Sequence, residues 1–281
     1  MEYIFDDRAL VLQETARSVL IVTDIHIGYE VEMLERTGVE FPPQDRLMYK
    51  RLVRLVEDYK TEHLYLMGDI KHSIGVDRAV NWRQIPEFIE GLSKIIGITV
   101  IPGNHDGDLL PLLPRDVLLG DVRGEILRIG DHKVGMTHGH AWPSSEILDN
   151  CETIVMGHSH PTVRRWKDVS SPIIDRPDRK RASLMVPVVL KTKLSRNCVR
   201  RIQGQLETDD DVCGLIVLPS FNELLSGVNV NRPQARLQGP VFENDCANLK
   251  MAEVYSSNGI FLGSVESLQS QFDGPRPQRN D

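Results

Sequence analysis

The sequence predicts a layered α/β protein with a ligand site beyond its strand ends. Three observations carry this expectation. Five short runs, residues 18–23 (SVLIVT), 63–67 (HLYLM), 97–101 (GITVI), 133–137 (KVGMT) and 153–156 (TIVM), read as strands. The first three alternate with stretches of helical apolar spacing. All five stop in a polar cluster, and in layered α/β proteins ligands gather beyond the carboxyl ends of strands.

Residues 3–14 read as a hairpin turning at Asp6-Asp7-Arg8. After the strand at 18–23, residues 30–38 read as a short helix and 43–60 as a longer one. Pro42-Pro43 stand at the start of the longer helix, and Leu47, Leu52, Leu55, Val56 and Tyr59 are assigned to the core. Asp77 suits an N-cap for a helix running toward Ile96. Ile85, Phe88, Ile89, Leu92 and Ile95 form its apolar side, and Pro86 is expected to break or kink it. Residues 117–130 fit a hairpin or meander. Past Pro161, residues 163–167 and 182–193 read as two strands of a hairpin joined by a Pro- and Arg-rich loop. Residues 215–218 (LIVL) read as a buried strand, 207–211 as an acidic turn and 269–281 as a disordered tail.

A chain of 281 residues with 41% hydrophobic and 26% charged residues has the composition of a soluble globular protein. No apolar run approaches the roughly 20 residues that span a bilayer, and the first residues lack the pattern of a signal peptide, so a cytoplasmic location is expected. Cys151, Cys198, Cys213 and Cys246 are scattered with no CxxC pair and are expected to be buried or free thiols in a reducing compartment. The net charge of −7 is uneven: residues 163–205 hold twelve Lys/Arg and three Asp/Glu, hence +9 against −16 elsewhere. Such a block suits either a nucleic-acid surface or a solvated hairpin face. There is no internal repeat, Walker loop or dinucleotide fingerprint.

The clusters are Asp24-x-His26, Gly68-Asp69, Gly103-Asn104-His105-Asp106, His138-Gly139-His140 and Gly157-His158-x-His160. Residues two apart can aim at one point beyond a strand end. Imidazole is the commonest metal ligand, and one such pair alone is an ordinary polar turn. Five clusters of metal-ligand type in one chain point to a metal site.

In this order the motifs resemble the calcineurin-like metallophosphoesterase superfamily over roughly residues 18–161. A finer resemblance, to archaeal phosphoesterases related to the bacterial nuclease subunit SbcD, rests on residues 24–30 (DIHIGYE), 68–72 (GDIKH) and 218–222 (LPSFN). The resemblance implies a four-layer sandwich: two mixed β-sheets flanked by helices, with a di-metal centre at one edge. It implies one metallophosphoesterase domain over 1–268, with the basic hairpin of 163–205 inside it and residues 215–218 closing the second sheet.

Carried over residue by residue, the resemblance implies that Asp24, His26 and His160 hold one metal, Asn104, His138 and His158 hold a second, and Asp69 bridges them. The mixed ligand set suits Mn²⁺ foremost, with Fe, Zn²⁺ or Ni²⁺ as alternatives, over Ca²⁺. A hydroxide held between the ions is the implied nucleophile, since metal binding lowers the pKa of water toward about 7. His105 is implied as proton donor to the leaving oxygen, and Asp106 as the group that orients its ring and raises its pKa. His140 is open between the substrate side and a place behind the ligands. Lys71 and His72 are open between phosphate contact and a surface loop; Lys71 stands where family members have a second acidic residue. Asn222 is a candidate to reach the cleft. Trp82 and Trp142 are assigned to packing, and His63 and His132 to the surface.

The leading expectation is a metal-dependent phosphodiesterase acting on DNA or RNA. The alternatives are a hydrolase of small phosphate esters or nucleotides, and a non-catalytic scaffold, which would have lost ligands that this chain keeps. No membrane contact is expected; a homodimer and an ATPase partner are left open.

Overall fold

The computed structural model describes residues 1–15, 17–74, 79–166 and 183–272. Asp77, the loop between residues 167 and 182, and the chain after residue 272 lie outside them.

Chain order explains the architecture. Strands β1 (Glu2–Asp6) and β2 (Ala9–Glu14) form the expected hairpin, with Asp7 and Arg8 at positive φ in its turn. β3 (Arg17–Thr23) is followed by helices α1 (Tyr29–Thr37) and α2 (Gln44–Tyr59), then β4 (His63–Met67), α3 (Ala79–Ser93), β5 (Gly97–Ile101) and β6 (Leu118–Leu119). These six strands make one sheet in sequence order, with β3 to β6 parallel. The chain then crosses over. β7 (Glu125–Ile129), β8 (His132–Thr137), α4 (Ser145–Asn150), β9 (Thr153–Met156), β10 (Pro161–Trp166) and β11 (Ser183–Ser195) come next. They are followed by α5 (Arg196–Ile202), β12 (Val212–Val217), β13 (Val228–Asn229), α6 (Pro240–Glu243), β14 (Glu253–Ser256), β15 (Phe261–Ser264) and α7 (Val265–Phe272). The second sheet runs β13-β10-β11-β12-β9-β8-β7, with β14 on β11 and β15 on β14.

Period-2 alternation makes the layers. Along β3, Val19 and Ile21 face a central core while Leu20 and Val22 face α2 and α3; along β9, Val155 faces that same central core and Ile154 and Met156 face away. The central core joins Leu10, Ile21 and Met67 of the first sheet to Leu127, Met136 and Ile216 of the second. Two further cores fill the outer faces beneath the helices. This is the expected sandwich of two mixed sheets flanked by helices.

Several expectations are corrected. Residues 117–130 are not one hairpin: β6 ends the first sheet and β7 begins the second, so the segment carries the chain between layers. β12 does not close its sheet but lies inside it, between β11 and β9. Leu47 and Ile95 are exposed, and Met48 and Ile96 take their places in the core, a one-residue change of helical phase. α3 continues through Pro86 unbroken. Residues 269–272 belong to α7, across the boundary set at 268. Cys198 and Cys246 are joined in a disulfide across 48 residues, against the expectation of free thiols; Cys151 and Cys213 are free and buried. Folding brings the Cys198 and Cys246 α-carbons to 5.3 Å, within bridging range.

The basic block is also corrected in part. Arg196 binds Asp210, Arg200 binds Asp149, and Lys191 lies over the rings of Tyr3, Phe5 and Tyr255. These cations serve the fold. Among the described residues, no helix is long and apolar enough to cross a membrane.

Candidate metal centre

Strand register delivers the clusters to one place. Thr23 pairs with Met67 and Met67 with Ile101, so β3, β4 and β5 end level. In the other sheet Thr137 pairs with Met156 and Met156 with Val217, so β8, β9 and β12 end level too. The residues that follow are Asp24, Asp69 and Gly103 from one sheet, His138 and His158 from the other. The two edges touch: the backbone N–H of His158 donates to Asp24 Oδ2 at 3.0 Å.

The donor atoms of Asp24, His26 and His160 lie within 4.8 Å of one another, as do those of Asp69, His138 and His158. Asp69 stands between the groups: its Oδ2 is 3.4 Å from His26 Nε2 and 3.7 Å from His138 Nε2. Asp24 Oδ1 is 2.9 Å from His160 Nε2 and 3.0 Å from His138 Nε2. Asn104 is exposed on the turn after β5. His26, His72 and His105 form a third close group.

Five of these residues, Asp24, His26, Asp69, His158 and His160, have φ between 42° and 66°. The left-handed region costs a non-glycine residue roughly 1 kcal/mol or more and concentrates at functional sites. Here it turns each chain end sharply so that the side chain returns over the sheet edge. Gly103 answers a different need. A β-carbon there would lie 2.1 Å from Asp69 Oδ1 and 2.5 Å from His138 Nδ1. Gly103→Ala is expected to displace one of these groups and lower metal content and turnover by about 10–100-fold, the range seen when ligand support is lost. Gly107→Ala, with nothing within 4 Å, should change neither. Elemental analysis beside a rate assay checks both.

Electrostatics fit a cation site. Burial alone would raise the Asp24 carboxyl, but His160 and His138 facing it hold it well below the usual range. Burial pushes Asp69 up to about 6, with Asp24 adding to the rise and His138 opposing it. Burial drives His26 well down, and His158 and His140 down to about 4, which favours the neutral imidazole that binds metal. His26 Nε2 is buried without a hydrogen-bond partner and faces both carboxylates. Donors about 2.1 Å from a shared ion stand roughly 3.0–3.4 Å apart, close to several spacings found here. The residues therefore fit divalent ions, with imidazole and carboxylate ligands of the kind that suits Mn, Fe or Zn.

The neighbours differ from expectation. The Asp106 carboxylate does not hold the His105 ring. It accepts the backbone N–H groups of Ile70, Lys71 and Gly103, bracing two ligand loops together. The His105 ring is fixed instead by the His72 carbonyl, 2.5 Å from Nδ1, while the His105 backbone N–H donates to Asp69 Oδ1. Lys71 is neither a phosphate contact nor a surface residue: it is buried and donates to the carbonyls of Ser73 and Ile74. His72 Nε2 lies 2.5 Å from Glu32 Oε2. Asn222 is buried, and its amide donates to the carbonyls of Ile25 and His26, holding the Asp24 loop from behind. Ser220 donates to the Asp24 carbonyl. His140 stands behind the ligands, 3.2 Å from His138 Nδ1. Trp142 packs on the outer core as expected, whereas Trp82 is exposed; His63 is half-buried against Thr99 and His132 is partly buried beside Glu152. Glu32, Thr23 and Ser220 were not singled out by sequence, since lone acidic and hydroxyl residues carry no spacing signal.

Residues 18–172 match the calcineurin-like phosphoesterase superfamily domain. Among solved structures, the chain is similar to the nuclease MPE of Pseudomonas putida, with a TM-score of 0.53 and 18% identity over 93% of this chain and 99% of that one. It also matches the E. coli phosphoesterase Yfce, at TM-score 0.34 and 17% identity over 53% of this chain and 73% of that one. An archaeal phosphodiesterase matches at TM-score 0.31 and 15% identity, over 60% of this chain and 99% of that one. No curated protein matches the sequence.

Proposed function

Because the chain belongs to the calcineurin-like phosphoesterase superfamily, we propose that it hydrolyses phosphodiesters in nucleic acid with two divalent ions, Mn²⁺ foremost. The observation that carries this reading is Asp69, whose Oδ2 is shared between the His26 and His138 sides of the centre. The fold-level likeness to a bacterial nuclease supports the substrate class.

In this reading Asp24, His26 and His160 hold one ion, and Asn104, His138 and His158 the other, with Asp69 between them. Bound divalent ions polarise phosphoryl oxygens and lower the pKa of water toward about 7. The chain's own groups do the rest. His105, with Nδ1 tied to the His72 carbonyl, offers Nε2 to the oxygen that leaves phosphorus. Proton donation of this kind typically contributes 10²–10⁴-fold. Asp106 keeps the loops of Asp69 and His105 in register through three backbone amides.

A second reading, hydrolysis of small phosphate esters or nucleotides, gains from the internal engagement of Lys191, Arg196 and Arg200. Binding to nucleic acid weakens steeply with salt in proportion to the phosphates neutralised, so a KM for oligonucleotide that ignores salt would favour small substrates.

The decisive test is Mn²⁺-dependent hydrolysis of bis(p-nitrophenyl) phosphate beside p-nitrophenyl phosphate, with Asp69→Asn as the blank. Preference for the diester, lost in the variant, is expected. Preference for the monoester would overturn the reading.

A further inference from the structure

We propose that the cavity beside His105 receives the leaving group, and that this group is a single unpaired nucleoside; the proposal rests on the phosphodiester reading above. The cavity measures about 440 Å³ and opens next to the metal centre. Its apolar wall is Ile27, Val31 and Ile74, and its polar groups include Glu32, His72 and His105.

Position fixes which half of the substrate it takes. Hydrolysis adds water to phosphorus and breaks a P–O ester bond, and the departing oxygen takes a proton. His105 is the one described residue that both lines the cavity and stands beside Asp69, with Nε2 3.9 Å from Asp69 Oδ2. The group protonated by His105 Nε2 therefore departs on the cavity side.

Shape and chemistry fix what that group is. The volume lies in the range of about 300–1,000 Å³ that holds compact organic ligands, enough for one nucleoside and too small for a base pair within a duplex. The His72 and His105 rings are stacked, with centroids 5.6 Å apart and planes inclined by 23°, and offer a flat surface to a base. Base–aromatic stacking is sequence-tolerant because every base has a π-face. Glu32 adds an acceptor: its Oε2 meets His72 at 2.5 Å and its Oε1 lies 3.3 Å from Arg36. An ionised carboxylate accepts only, so it suits base N–H and sugar O–H donors. No lysine or arginine is among the described residues lining the cavity, so it offers nothing for a second phosphate.

The test is competition. Thymidine and guanosine are added to the wild-type metalloenzyme hydrolysing bis(p-nitrophenyl) phosphate, and Ki is measured again in Val31→Trp and Ile74→Trp, with metal content checked. Ile74 is 65% exposed, so its replacement does not threaten folding. Competitive inhibition in the wild type, with Ki raised tenfold or more by either variant, is expected. Nucleosides that do not compete, or an unchanged Ki in both variants, would overturn the cavity assignment while the diesterase reading stands. A wild type that hydrolyses no diester would overturn both.

Discussion

Asp69→Asn is expected to lower Mn²⁺-supported diester hydrolysis by about 10³-fold or more, with the fold retained. Asparagine matches aspartate in shape, and its side-chain oxygen can still accept the His105 N–H that Asp69 Oδ1 accepts now. What it removes is the negative charge between His26 and His138. That charge is held in a buried position where burial already pushes the carboxyl up to about 6, so it persists there only with cationic company. Loss of charge stabilisation worth several kcal/mol corresponds to about three powers of ten in rate. Metal analysis should show reduced occupancy, and circular dichroism an unchanged fold. Activity within tenfold of wild type at saturating Mn²⁺ would show that the two sides of the centre do not share Asp69.

The clusters were legible because parallel strands impose a simple rule: side chains just past level strand ends converge. Asp24, Asp69, His138 and His158 could be placed by that rule, and the register Thr23–Met67–Ile101 shows why it works. The left-handed backbone at five of these residues was not legible, yet it is what folds their side chains back over the edge. Roles that depend on direction rather than position were misjudged. Asp106 is next to His105 in sequence, but its carboxylate points to the amides of Ile70, Lys71 and Gly103. Lys71 looked like a loop cation; its bridge to Ile27 extends the sheet edge and draws the ammonium inside, where two carbonyls satisfy it.

Long-range pairing was legible least. Nothing local marks Cys198 and Cys246 as partners, nor Asn222 as a strap for a loop almost two hundred residues earlier. The crossing between sheets at β6 and β7 is of the same kind, since a strand's own sequence states its faces but not its neighbours. Helix phase failed for a smaller reason. Leu47 and Met48 are both apolar, and the choice between them is set by packing against β3, not by the spacing of the helix itself.

His105→Asn is expected to keep the metals and cut turnover by about 10²-fold or more on esters with poor leaving groups. The backbone N–H of residue 105, which donates to Asp69 Oδ1, survives the substitution, so the metal-side carboxylate keeps its partner. The ring that is lost has Nδ1 on the His72 carbonyl and Nε2 near Asp69 Oδ2. A proton donor matters most when the leaving oxygen is strongly basic. The defect should therefore be large on a dinucleoside monophosphate, which releases an alkoxide, and several-fold smaller on bis(p-nitrophenyl) phosphate, which releases a stable phenolate. The close grouping of His26, His72 and His105 defines the competing role, that of a metal ligand. A variant that loses metal, and loses activity equally on both esters, would move His105 into the ligand set. Retained metal with a defect that grows with the basicity of the leaving group would establish it as the proton donor at the mouth of the cavity.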